Sequence, residues 1–172
     1  MNVLITGGSG CGKSTYAEKL IGALPDKRVY IATMQVWDRE SEQRVARHRA
    51  QRAHLNMTTI ECSTDIASAE IPQGAAVLLE DIPNLLANEM FGGGRPERIL
   101  PSLRQIAKRA SSLIIVTNDV FSDGIAYMRE TDEYMRVLSA INSAACEICD
   151  SVIEVVYSIP CALKGALPCE RS

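Results

Sequence analysis

Long apolar runs, an excess of basic charge and an ordered cysteine framework are all missing from this 172-residue sequence, and each absence excludes a class of function. The apolar runs, at 2–6, 28–32, 75–80, 112–117 and 151–157 with a weaker one near 57–61, fall well short of the roughly 20 residues a membrane-spanning helix needs. The opening stretch Met1-Asn2-Val3-Leu4-Ile5-Thr6 reads as a strand running into glycine, without the apolar core of a secretory leader, so a cytoplasmic location is expected. A net charge of -3 supplies no basic footprint for a phosphate backbone, which argues against nucleic acid as a partner and for small-molecule chemistry. The six cysteines, Cys11, Cys62, Cys146, Cys149, Cys161 and Cys169, are irregularly spaced and read as free thiols in a reducing compartment. Cys146 and Cys149 form a C-x-x-C, but only Cys161 and Cys169 could complete a zinc site, and small apolar packing residues are the expected role. Repeats and low-complexity tracts are absent too, and no shift of composition marks a boundary, so residues 1–172 are expected to form one domain.

What is present is an alternation of short Val- and Ile-rich runs with helical segments, the pattern of an α/β domain whose largely parallel sheet is covered by helices. The first helix buries Tyr16, Ala17, Leu20, Ile21 and Leu24 and stops at Pro25-Asp26; another, near 129–149, carries Val137, Leu138, Ile141, Ala145 and Ile148 at helical spacing. Phe91-Gly92-Gly93-Gly94-Arg95-Pro96 is expected to be the most flexible stretch.

The strongest motif lies between the first strand and the first helix. Gly7-Gly8-Ser9-Gly10-Cys11-Gly12-Lys13-Ser14 satisfies G-x-x-x-x-G-K-[ST] in full, the signature of a P-loop nucleotide-binding protein. Its glycines let successive N–H groups point at phosphate oxygens, and the helix adds its positive N-terminal end. Lys13 is expected to reach the β- and γ-phosphates from outside the core, while the Ser14 hydroxyl ligates Mg²⁺. A further carboxylate for the metal is expected at the end of another buried strand, where Glu80 and Asp81 both stand; position alone does not choose between them, and Asp81 is also well placed to cap the next helix.

The segment Asp38 to Ala53 is rich in helix formers yet offers only Val45 and a few alanines for burial, so it is expected on the surface or over a site. If helical, it places Arg44, His48 and Arg52 on one face with Arg49 beside them. Guanidinium neighbours would favour neutral His48, a nucleophile beside an anion site. From spacing alone a solvated helix whose arginines pair with Glu40 and Glu42 is the favoured reading, and something further is needed to prefer chemistry.

Taken in order, Ile5 to Ser14, Tyr30-Ile31-Ala32-Thr33, Arg44 with His48 and Arg52, Glu61, Leu78-Leu79-Glu80 with Asn88, and Val116-Thr117-Asn118-Asp119-Val120 resemble the bifunctional adenosylcobinamide kinase / adenosylcobinamide-phosphate guanylyltransferase family over nearly the whole chain. The resemblance implies a RecA-like sheet, a homotrimer, and a histidine at position 48 that attacks the α-phosphate of GTP and carries GMP to adenosylcobinamide phosphate. It also implies nucleotide contacts from the loop, from Ala32, Thr33 and Met34, from Arg49, Ala50, Gln51 and Arg52, and from Glu61 and Glu80. GTP, ATP and Mg²⁺ are thus the expected cofactors and a corrinoid the expected acceptor. The sequence departs from the family where Arg47 replaces a second histidine, across Phe121-Ser122-Asp123-Gly124-Ile125-Ala126-Tyr127, and at Tyr134-Met135-Arg136, in places where corrinoid or subunit contacts are expected. Two other readings remain open: a plain small-molecule P-loop kinase, in which His48 is dispensable, and a nucleotide-binding regulatory protein without turnover.

Overall fold

The computed structural model describes residues 1–24, 27–35, 46, 50, 52–119 and 129–168. Its apolar runs form the strands β1 (Asn2–Thr6), β2 (Arg28–Ala32), β3 (Thr58–Glu61), β4 (Ala76–Glu80), β5 (Ser112–Val116) and β6 (Ser151–Val156), with β7 (Ile159–Lys164) at the edge. The sheet order is β3-β2-β4-β5-β1-β6-β7. The first six strands pair in parallel. Only β7 is antiparallel, returning beside β6 as a hairpin. Every run read as a strand is one, to within a residue or two at its ends. β7 was not expected: Pro160 lies inside it, and the preceding turn is made by Tyr157 and Ser158, at φ 48 and 65, with no glycine to announce it.

Continuous apolar runs are required here because the sheet is covered on both faces. Side chains alternate across the pleat. Val3, Ile5, Tyr30, Leu78 and Ile114 pack with Tyr16, Ala17, Leu20 and Ile21 of helix α1 (Lys13–Gly22). Leu4, Ile31, Val77, Leu79, Leu113 and Ile115 face the other way, into the core formed with α2 (Ile82–Phe91), α3 (Ile99–Arg109) and α4 (Arg129–Ile148). Fully burying one such leucine or isoleucine stabilises the fold by about 1.5–3 kcal/mol. Among the described residues no helix is long and apolar enough to cross a membrane.

Two fastenings bear on function. Arg28 donates to Gly22 O and Leu24 O at the end of α1, at 2.8 and 2.6 Å from Nη2, and to Leu55 O at 3.0 Å, satisfying helix-end carbonyls while tying the turn Ala53–Leu55 to α1. The glycine stretch after α2 is also anchored, contrary to its composition. The Glu89 carboxylate, 4% exposed, accepts from Arg95 N at 2.6 Å and from Asp65 N at 2.7 Å, pinning two loops to one helix.

Candidate nucleotide site

The phosphate loop leaves β1 at the carboxyl edge of the sheet and is braced from both neighbouring strands. After β5, Asp119 N donates to Gly7 O at 3.3 Å, and at the tip of the β6–β7 hairpin Ser158 N donates to Cys11 O at 2.8 Å. Gly12 is required by this bracing: its φ is 99°, and a Cβ there would lie 2.7 Å from Ser158 Oγ. Gly8, Ser9 and Gly10 are exposed at the crest, with Cys11 and Gly12 partly covered. Lys13, expected outside the core, is instead buried at 8% exposure. The cause is polar: its stem arches back over the loop, and Nζ donates to Gly8 O at 2.7 Å, 4.0 Å from Cys11 Sγ.

Beside the loop, β4 ends in Glu80, whose carboxylate gathers three groups. Ser14 Oγ donates to Oε1 through a short hydrogen bond. Tyr30 OH donates to Oε2 at 3.1 Å, and Arg52 Nη1 donates to the same oxygen at 3.2 Å. Arg52 also lies 3.6 Å from Glu18 Oε1 and stacks over the Tyr30 ring at 3.8 Å. Burial pushes the Tyr30 phenol far above its usual range, and neighbouring Glu80 adds to this, so the hydroxyl remains a donor. Burial and then the nearby Glu80 raise the Glu18 carboxyl, against the opposing pull of Arg52.

The pleat separates the two acidic candidates. Glu80 lies against Ser14, whereas Asp81 caps α2, accepting from Asn84 N at 2.8 Å, and burial raises its carboxyl. Thr33 is fully buried: its N–H donates to Glu80 O at 3.2 Å and its hydroxyl to Glu80 O and Asp81 O at 3.0 Å, while its own carbonyl accepts from Asn88. Thr33 therefore fixes the end of β4, with Ala32 and Met34 partly exposed on either side. Ala32 pairs in register with both Glu80 and exposed Glu61, which brings three of the expected nucleotide contacts into one row.

Of the arginine and histidine segment, Ala46, Ala50 and Arg52 are described and helical, with Ala50 exposed and Arg52 buried. Arg44, His48, Arg49 and Gln51 lie outside the described residues. Sequence reading assigned no role to Glu18, Tyr30 or Ser158. The signal for Glu18 was its spacing, four residues beyond Ser14 and hence on the same face of α1.

Among the described residues no three His, Cys, Asp or Glu side chains gather as a metal cage. One hydroxyl and one carboxylate, Ser14 and Glu80, nonetheless suit Mg²⁺, which keeps several waters and takes phosphate oxygens as its remaining ligands.

A phosphate loop joining strand to helix, with a carboxylate from a nearby parallel strand on the loop serine, defines a P-loop nucleotide-binding protein of the α/β class. The solved structures agree at the level of fold. A protein of Pyrococcus horikoshii OT3 superposes with TM-score 0.53 at 9% identity over 96% of this chain and 87% of its own. An ATPase from the type III secretion system of pathogenic bacteria superposes with TM-score 0.51 at 16% identity, over 89% of this chain and 50% of its own. Residues 3–163 match the family described as cobinamide kinase / cobinamide phosphate guanyltransferase, and the chain belongs to that family. It is 30% identical to the bifunctional adenosylcobalamin biosynthesis protein CobU of Salmonella typhimurium over 95% of this chain and all of that one. To the corresponding CobP of Pseudomonas aeruginosa it is 30% identical over 96% and 98%.

Proposed function

We propose that the chain, as one transferase domain, phosphorylates the alcohol of adenosylcobinamide from ATP or GTP and then transfers GMP from GTP to the resulting phosphate through His48. In the second reaction a neutral imidazole nitrogen of His48 attacks the α-phosphorus, the bond from that phosphorus to the β-bridging oxygen breaks, and pyrophosphate leaves. An oxygen of adenosylcobinamide phosphate next attacks the phosphoramidate, the P–N bond breaks, and the imidazole is restored. Lys13 and the loop N–H groups hold the phosphate charge. Ser14 and Glu80 would hold Mg²⁺, which would supply charge neutralisation at the phosphates. Nucleotide contacts from Ala32, Met34, Glu61, Ala50, Arg49 and Gln51 belong to the same proposal.

The observation that carries the reading is the Arg52 bond to Glu80. It fastens a residue four positions beyond His48 directly to the carboxylate that holds the loop serine. A homotrimer, which the family resemblance implies, and a cytoplasmic location are part of this reading, and light scattering checks the first.

The test uses GTP labelled at the α-phosphate. Acid-labile label should stay on the protein, and His48→Ala should abolish both label and pyrophosphate release while phosphorylation of adenosylcobinamide remains measurable. His54→Ala should keep the label. GMP trapped on the His48→Ala protein would leave a plain P-loop kinase.

A further inference from the structure

Arg52 and Ser14 approach one carboxylate from its two oxygens, and a second carboxylate stands within reach of the arginine. Nη1 of Arg52 is 3.2 Å from Glu80 Oε2 and 3.6 Å from Glu18 Oε1. The three side chains are 9%, 13% and 19% exposed, in the order Arg52, Glu80, Glu18, so their attractions are weakly screened. The guanidinium also stacks on the Tyr30 ring, 3.8 Å from its centroid. The turn after Arg52 is tied to the end of α1 through Arg28, which bonds Leu55 O as well as Gly22 O and Leu24 O.

A divalent cation at Ser14 and Glu80 places positive charge beside the carboxylate that Arg52 uses. Arg52 then loses attraction to Glu80, whereas Glu18, one turn further along α1, keeps its own. We propose that Glu18 is a positioning residue that receives Arg52 from Glu80 when the cation site is filled. The seat of Arg52, and with it the end of the segment bearing His48, thereby reports the state of the phosphate loop. This rests on the cation placement in the proposed function and goes beyond it by giving Glu18 a role.

The test is a double-mutant cycle read by Mn²⁺ binding to the protein alone, followed as loss of the free-ion electron paramagnetic resonance signal, with no phosphate, nucleotide or corrinoid present. Arg52→Met removes the competing charge and should tighten Mn²⁺ about tenfold, while Glu18→Gln strands Arg52 on Glu80 and should weaken it about fivefold. In the Arg52→Met background Glu18→Gln should change the affinity less than about twofold, because Glu18 acts through the arginine. Equal weakening in both backgrounds would show Glu18 acting on the cation directly and overturn the proposal, as would no weakening in either. Absence of saturable Mn²⁺ binding by the unaltered protein would instead remove the cation site, and the proposed placement of Mg²⁺ with it. Melting temperature is followed throughout, and Glu18→Asp, one methylene shorter, replaces Glu18→Gln if the latter does not fold.

Discussion

The phosphate loop and the Arg52 cluster stand side by side at the same sheet edge but are built by opposite means. The loop is made of consecutive residues whose backbone forms the anion cradle, and its bracing comes from main-chain bonds at Gly7 and Cys11. The cluster is made of side chains from four separate parts of the chain, Glu18, Tyr30, Arg52 and Glu80, held by charge. A backbone-made site tolerates loss of a side chain in its fold and loses chemistry. A site made of partly buried charges loses stability when one member is removed, because the others remain unpaired.

The largest effect expected from this contrast is on the loop side. Lys13→Ala should lower kcat/KM for nucleotide turnover about a thousandfold, since the ammonium acts where charge develops on the leaving phosphate. The same variant should lose no more than about 1 kcal/mol of stability, the worth of the hydrogen bond from Nζ to Gly8 O. Unchanged kcat/KM would remove the enzyme reading, and a large fall in melting temperature would break the contrast.

On the cluster side the expected loss is in the fold. Arg52→Met leaves Glu18 and Glu80 facing each other with little water, which should cost about 2–3 kcal/mol, seen as a drop of roughly 5–10 °C in melting temperature. Adding Glu80→Gln should recover much of that loss, because the repulsion disappears with the second charge. A cost confined to Arg52→Met and insensitive to Glu80→Gln would mean that the stacking on Tyr30, not the charge, holds the cluster.

The same division explains what was legible in the sequence. The loop, the six parallel strands and the faces of α1 and α4 announce themselves through local spacing, because strand and helix periods are written within a few residues of each other. The choice between Glu80 and Asp81 was not legible, because it needs the face that α1 covers: Ala76 and Leu78 pack on α1, so the pleat carries Glu80 to that face and Asp81 past it. Nor was the convergence of Glu18, Tyr30 and Arg52, since it depends on the sheet order that sets β2 beside β4 and on the turn that Arg28 ties to α1. The burial of Lys13 was hidden for a related reason: the covering group is the carbonyl of Gly8, which composition does not display.

The smallest expected effect comes from a pair of cysteines that belongs to neither region and so serves as a control on both. Cys149 is 2% exposed at the end of α4, and burial pushes its thiol up to about 12, with neighbouring Cys146 and Asp150 adding to the shift. The thiolate is the reactive form, so at pH 8 a thiol this high is almost wholly protonated as well as covered. Lys164 bonds the carbonyls of Cys146 and Cys149 at 2.7 Å each, which closes the helix end over it. Brief treatment of the native protein with a thiol reagent, followed by peptide mass mapping, should therefore label exposed Cys161 and spare Cys149 until denaturant is added. Cys149→Ala should leave kcat/KM within about twofold and cost no more than about 1 kcal/mol, as expected for a small buried apolar group. Rapid labelling of Cys149 in the native state, or stoichiometric zinc lost on Cys149→Ser, would give the C-x-x-C a chemical role and end its use as a control.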